Sequence, residues 1–549
     1  MSSRCQAGMF KRDEAWQSHA HRAVFLFCAV CLSLYFSYIL FLAHSPVFLG
    51  LWETIYCLAW FLAYGALLFA GFCAGCKRLL RTEPRRRSAA QKPAWSWRFF
   101  VTSAGVSGLL LGISWLAAYP GAVTYDIYNQ WMQTQTGQYN SWHPVFHTLL
   151  LWLGGQLTGS YPGVVAVQLV SFSLALAYLM ATLRAWNVLR GGPLLVLQGL
   201  IVLSPLVNGV LMGAGKDAAM TLGAVVLCAQ GVGLYLSHGE WAKKPQNAVT
   251  FGVALAYTTL TRHNAFFFTV PLLLCAFFTC VPQRGRVLLS AGVMAVCVAL
   301  VSGPLYSALD LVRPKNTFAE SVGIPMTVLC DMRAEYPELL EGETRDFLET
   351  LLPDEDFADK YVLHHYNSVK FEWPMEYIAN EPPARLLGMV LRAAESRPQS
   401  AFQTFNAVTD LVWGVAGNNE AYDSAKNSGD LAAYRYQNTR MNQMGKSIKG
   451  LLTVPLGLPG VSWLFQNIGV QMALLLLCAL WALYRSGPRA LVLCVPVLFY
   501  NLGTMLLLCG NDARFFQFSM VICLPAALAL GRRPHPGPAE EAAEQEPSL

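Results

Sequence analysis

Long apolar stretches, broken by short polar or basic turns, run through most of the chain. Runs at about Val24 to Leu42, Ile55 to Gly75 and Phe99 to Ala118 each approach the roughly 20 residues that an α-helix needs to cross a bilayer. Further runs occupy about Phe146 to Leu157, Val164 to Leu183, Leu194 to Met212, Ala218 to Leu236, Phe251 to Leu260, Ala265 to Cys280 and Val287 to Leu305. Three more follow at about Val461 to Leu483, Leu491 to Cys509 and Phe515 to Leu530. The pattern predicts an all-α integral membrane protein, a bundle of about 12 transmembrane helices with short interfacial helices between them. Phe146 to Leu157 is too short to cross alone, so the path over 144–183 is open: this run is half-inserted or shares one crossing with Val164 to Leu183.

Between Asp310 and Lys449 the pattern changes. Acids accumulate (Glu335, Glu338, Glu341, Glu343, Asp346, Glu349, Asp354, Glu355, Asp356) and no run is long enough to span, which predicts a folded, mainly helical insertion over 309–450. Within it, Arg385 to Trp413 carries apolar residues at helical spacing, as a helix lying on a membrane surface would. The expected organisation is therefore two spans and a basic loop over 1–98, a transmembrane core over 99–308, the insertion, C-terminal spans over 451–531 and a disordered Pro- and Glu-rich tail over 532–549.

Composition agrees with the pattern. Of the 549 residues, 54% are hydrophobic and 13% charged, with mean hydropathy +0.39, outside the usual soluble range. The net charge of +6 comes from short basic clusters between runs, and no nucleic-acid motif accompanies it. Lys77, Arg78, Arg81, Arg85, Arg86, Arg87, Lys92 and Arg98 crowd one loop, which the positive-inside rule makes cytoplasmic. The run at 99–118 then travels outward and delivers the loop 119–147 to the extracytoplasmic side. Arg184 with Arg190, Lys243 with Lys244, Arg284 with Arg286, and Arg485 with Arg489 mark further cytoplasmic turns, with both termini on that side. Most of the 15 cysteines lie inside apolar runs and act as small hydrophobes; Cys73 and Cys76 form a CxxC without the second pair that a zinc site needs.

Loop 119–147 departs from its surroundings. After an apolar run it turns polar and aromatic, with Asp126 its one carboxylate, His143 and His147 four residues apart, and Tyr125, Tyr128 and Trp131 at three-residue spacing on an expected interfacial helix, Val123 to Met132. On this topology Lys216-Asp217, Arg262-His263-Asn264 and Asn511-Asp512 with Arg514 face the same side as Asp126. Charges are costly in a bilayer, about 2.5–3.5 kcal/mol each on the lenient insertion scale, so several at one depth argue for a shared polar cavity. Lys216, Arg262 and Arg514 suit a phosphate or pyrophosphate, and Asp126 or Asp217 suits proton removal from an attacking hydroxyl. No third metal ligand stands at a telling spacing, so His147 joins His143, Trp142 and Asn264 as a substrate-binding candidate; no cofactor is assigned, and a divalent cation is left open.

Each residue also has a plain structural reading. Asp126 can cap the short helix, Lys216-Asp217 can be a local ion pair at a membrane boundary, and Arg514 can simply flank the last span. Trp131, Trp142, Tyr125 and Tyr139 fit an interfacial aromatic belt as well as a sugar-stacking platform.

The order of a first-loop acid (Asp126), a His-Pro helix start (His143-Pro144), a later Asp at a helix junction (Asp217) and a basic residue midway through a broken apolar segment (Arg262) resembles the GT-C class of membrane glycosyltransferases, which includes protein O-mannosyltransferases and aminoarabinose transferases. The likeness covers about Phe99 to Leu305, with Arg514 in weaker support. It implies a GT-C-like bundle, a polyprenyl-phosphate-linked sugar as donor, and a glycan, lipid or protein of the cell envelope as acceptor. It gives Asp126 the role of base or acceptor-positioning group and His143, Arg262 and Arg514 the phosphate. The sequence departs from the class in having Ile127 where many members carry a second acid, and Val145 after His143-Pro144. A transporter or flippase for a lipid-linked or anionic solute is the alternative, its charges then forming a substrate and proton pathway.

Overall fold

Helices that are apolar on every side choose neighbours by side-chain size and by the few polar groups they share. The computed structural model describes residues 19–83, 93–314, 318–372, 377–378, 380–416 and 439–535. The expectations about Arg85, Arg86, Arg87 and Lys92, and about the tail beyond 535, lie outside the described residues.

Helices α1 (His19–Leu40) and α2 (Leu51–Thr82) pack on one another, and α2 buries few side chains, as a lipid-facing span does. Helix α3 (Trp97–Ala118) starts on Ser96, whose Oγ accepts from Phe99 N, and turns Ser103, Ser107 and Ser114 inward. The chain leaves α3 through a cis Tyr119–Pro120 bond. Two short helices follow, α4 (Tyr125–Thr136) and α5 (Val145–Thr158), each ended by a left-handed glycine, Gly137 and Gly159, which satisfies the last carbonyls.

The uncertain path over 144–183 resolves into separate helices. Helix α5 has 14 residues, and α6 (Tyr161–Ala185) has 25 and is long enough to cross alone. Next come α7 (Gly191–Leu203) and α8 (Pro205–Leu211), bent by 67° at the Ser204–Pro205 break. Helix α9 (Lys216–Leu236) is the central one. Its Ala218, Ala219, Gly223, Ala224, Ala229, Gly231 and Gly233 let neighbours approach closely, and it is buried along nearly its whole length. Helices α10 (Pro245–Thr261), α11 (Phe266–Thr279) and α12 (Arg284–Leu300) follow.

Beyond α12 a second hydrophobic core forms, apart from that of the bundle. It draws on α13 (Gly323–Glu335), α14 (Gly342–Leu351), α15 (Asp354–Lys360) and α16 (Pro383–Ser396), with Met326, Leu329, Phe347, Phe357, Leu386 and Met389 inside. The expected continuous helix at 385–413 is broken at Arg397-Pro398, where proline forces the preceding residue out of helical geometry. Its second half, α17 (Pro398–Trp413), packs Val408, Leu411 and Trp413 into the bundle core, so this stretch joins the two cores. We call residues 318–416 the inserted unit.

Helices α18 (Arg440–Thr453) and α19 (Pro459–Phe465) are bent sharply, α20 (Ile468–Ser486) starts on Asn467, and α21 (Val495–Met505) and α22 (Gln517–Gly531) complete the bundle. The run expected over Val461 to Leu483 is thus divided between α19 and α20. Eight helices among the described residues are long and apolar enough to cross a membrane, or up to ten if each bent pair is one span. The expected count of about 12 includes the runs that form α10, α11 and α21, all shorter than the roughly 20 residues of a full crossing. The chain is a multi-pass, all-α membrane protein.

Candidate functional site

Thr124, not Asp126, caps α4: its Oγ1 accepts from Ile127 N. Asp126 stands two residues further in, in the first turn, where the positive end of the helix favours a carboxylate. Lys216 and Asp217 open α9 in the same way, after the uncapped Gly215. Successive helical residues point about 100° apart, so these two neighbours face different partners. Lys216 Nζ reaches Asp126 Oδ2 at 2.8 Å, while Asp217 pairs with Arg262, which sits in extended backbone at the end of α10. The local ion pair between Lys216 and Asp217 is replaced by two pairs that tie α9 to α4 and to α10.

Arg514 belongs to the site and does more than flank the last span. Its Nη1 lies 3.5 Å from Asp126 Oδ2 and its Nε donates to Asp512 Oδ2 at 2.7 Å. Asp512 also takes Arg514 N on its other oxygen, capping the turn Ala513–Phe516. The Phe515 ring lies under both Arg514 and Arg262, at 5.0 and 4.6 Å, and so joins the two ion-pair systems.

His143 completes the front of the cluster. Its Nδ1 is 2.9 Å from Lys216 Nζ and accepts that bond, which puts the ring proton on Nε2, 3.9 Å from Asp126 Oδ1. Burial, with Lys216 beside it and against the pull of Asp126, pushes His143 down to about 3, so the ring is neutral. For Asp126, burial acts to raise the carboxyl, but Lys216, Arg514 and His143 together hold it well below the usual carboxylate range. Asp126 is therefore ionised, and as it stands a weak base.

The two ion-pair systems differ in access. Side-chain exposure is 30% for Asp126 and 21% for Arg514, against 10% for Asp217 and 7% for Arg262. A cleft of about 380 Å³ of empty space, open to solvent, meets the first pair; Thr124, Asp126, Gly213, Gly215, Lys216 and Arg514 line it, and of the second pair only Asp217 reaches its wall.

The remaining candidates take other places. His147 is buried behind the cluster, with Nδ1 on Gln130 Oε1 at 3.1 Å, while Gln130 Nε2 donates to Thr148, so this trio fastens α4 to α5. His263 faces the main chain at Trp142 and Ser141. Asn264 shares that turn, and among the described residues no hydrogen bond or ion pair joins it to the cluster. Trp142 is half-buried on the segment that presents His143. Of the expected belt aromatics, Tyr125 is exposed, but Trp131 is buried against Tyr161 and underlies Gly155. Asn511 turns away to Asp410 of α17. Among the described residues no group of three or more His, Cys, Asp or Glu is arranged around a metal-sized point.

Gln130, Phe515 and the capping role of Asp512 were not expected. Gln130 stands one helical turn after Asp126, and Asp512 precedes a short aromatic turn, both of them local signals that a sequence carries. Compared with protein-family models, curated proteins and solved structures, the chain matches none.

Proposed function

We propose that the protein is a membrane glycosyltransferase that moves a sugar from a polyprenyl-phosphate donor to a cell-envelope acceptor on the extracytoplasmic side, with both termini in the cytoplasm. The observation that carries this reading is Asp126: an ionised, partly open carboxylate shared between Lys216 and Arg514 at a cleft among apolar helices. A donor phosphate competes with Asp126 for these two cations. As they turn to the phosphate, Asp126 loses its counter-ions and its proton affinity rises. It then takes the proton of the acceptor hydroxyl as that oxygen bonds the anomeric carbon, and the bond from that carbon to the phosphate oxygen breaks. Lys216 and Arg514 hold the departing polyprenyl phosphate, with Nε2 of neutral His143 as a further donor. Asp217 and Arg262 brace the cluster from behind.

The test is transfer by the purified protein, followed as sugar reaching an acceptor and polyprenyl phosphate released in equal amount. Release of neither from any polyprenyl-phosphate sugar defeats the reading.

One observation favours the alternative of a transporter or flippase. The α7–α8 pair is a broken helix whose second half lines the cleft through Gly209 and Val210, as discontinuous helices do in transporters. Cysteine labelling at the cleft separates the two: reaction from one side only supports the transferase, and alternating reaction from both sides supports transport.

A further inference from the structure

The segment Leu508–Asp512 joins α21 to the turn that carries Arg514, and it is held by the inserted unit. Asn367 N donates to Cys509 O at 2.9 Å, and Asn511 Nδ2 donates to Asp410 Oδ1 at 3.0 Å. Cys509 itself is buried in the second core. At two points the surfaces meet so closely that an added side chain would clash, against strap backbone at Gly323 and against a side-chain ring at Gly510. A Cβ on Gly323, at the start of α13, would stand 2.2 Å from the Leu508 carbonyl oxygen and 2.9 Å from Cys509 Cα. A Cβ on Gly510 would stand 2.2 Å from Nδ1 of His365, which belongs to the inserted unit. The strap is therefore seated backbone-first on the unit.

Its other end aims the cation. Asp512 accepts from both Arg514 N and Arg514 Nε, fixing one edge of the guanidinium while the ring of Phe515 supports its face and Nη1 points at Asp126. A planar fork gripped along one edge retains little rotational freedom.

We propose that the inserted unit positions Arg514 in the cleft through the Leu508–Asp512 strap, with Asp512 as the positioning residue, so that the cluster's affinity for a lipid phosphate depends on a contact at Gly323. The phosphate part of this rests on the transferase reading; the mechanical coupling does not.

Gly323→Ala is the lever, because it acts on strap backbone and touches no member of the cluster. Binding of farnesyl phosphate is measured for the wild type, Gly323→Ala, Arg514→Gln and the double variant, with Asp512→Asn and its Arg514→Gln double in parallel. The expected result is that Gly323→Ala and Asp512→Asn each weaken binding about tenfold, and less than about twofold once Arg514 is gone, a coupling of the size that residues acting as one unit show. Equal weakening with and without Arg514 overturns the proposal. If the wild type binds no farnesyl phosphate, the lipid-phosphate reading has failed, and the same cycle is read in the melting temperature without ligand. There, non-additive shifts support the coupling and additive shifts overturn it. Should Gly323→Ala not fold, Asp410→Ala, which frees Asn511 of the strap from the inserted unit, takes its place in the same cycle with the same two outcomes.

Discussion

Asp126 in the cleft and Asp331 in the inserted unit are both carboxylates taken largely out of water, yet they are satisfied in opposite ways. Asp331 is fully buried and its oxygens accept from Tyr361 Oη at 2.6 Å, His364 N at 2.9 Å, His364 Nδ1 at 2.7 Å and Thr404 Oγ1 at 2.5 Å. These donors come from one loop and from α17, and they fasten both to α13. Burial acts to raise Asp331, and the hydrogen bonds from His364, Thr404 and Tyr361 outweigh it. Asp126 instead keeps an open face and depends on two cationic side chains that line the cleft, where another anion can compete for their charge. A closed set of fixed donors marks a staple; an open carboxylate on exchangeable cations marks a place where charge is meant to move.

That contrast can be broken most forcefully at the pair behind the cleft. Arg262→Ala leaves Asp217 as a buried charge without its partner, at a cost of about 3–5 kcal/mol, whereas replacing both residues by apolar ones costs much less. Denaturation of the two variants in detergent measures the difference. Equal losses would place Arg262 and Asp217 outside a common pair.

Asp331→Ala should come next in size. It strands buried donors and destabilises the unit by about 1–3 kcal/mol, read as earlier proteolysis within 318–416. The turnover number of the folded fraction should hold within about twofold, since no group of the proposed chemistry is touched. Collapse of turnover with the unit intact would make Asp331 a working carboxylate and erase the contrast.

The smallest effect is a pH dependence. His364 is raised above its ordinary value, chiefly by its hydrogen bond to Asp331. Its contribution is fully present below the unfolded value of about 6.5 and is lost as pH climbs through the folded value. Asp331, lowered in the folded state, contributes above its unfolded value of about 4 and fails only as pH falls through the folded one. The unit should be most stable between these limits. His364→Gln should remove the loss on the alkaline side, and an unchanged profile in that variant would assign it elsewhere.

Much of this was legible in the chain. The long apolar runs became α1, α2, α3, α6, α9 and α20, because nothing but a helix satisfies so many backbone groups in an apolar setting. Asp126, His143, Lys216 and Arg514 were named from their polarity against an apolar background, and they do converge. Their pairing was not legible. Lys216 beside Asp217 reads as a pair on paper, but helix geometry sends them apart, and only the tertiary fold decides that one meets Asp126 and the other Arg262. The same limit hid the Gln130–His147 bond and the Phe515 ring between two arginines. The breaks at Ser204 and at Arg397 each precede a proline that was in view, yet period and run length alone smoothed over them.

The central claim is that Asp126 and a donor phosphate compete for the same two cations. Binding of a polyprenyl-phosphate sugar and its transfer, measured side by side in Asp126→Asn and the wild type, test it most directly. The variant should bind the donor more tightly, because Lys216 and Arg514 no longer have a carboxylate to satisfy. Its transfer should fall by about 10²–10⁴-fold, as removal of a positioned base does. Undiminished transfer, or weaker donor binding in a protein that still folds, would contradict the account.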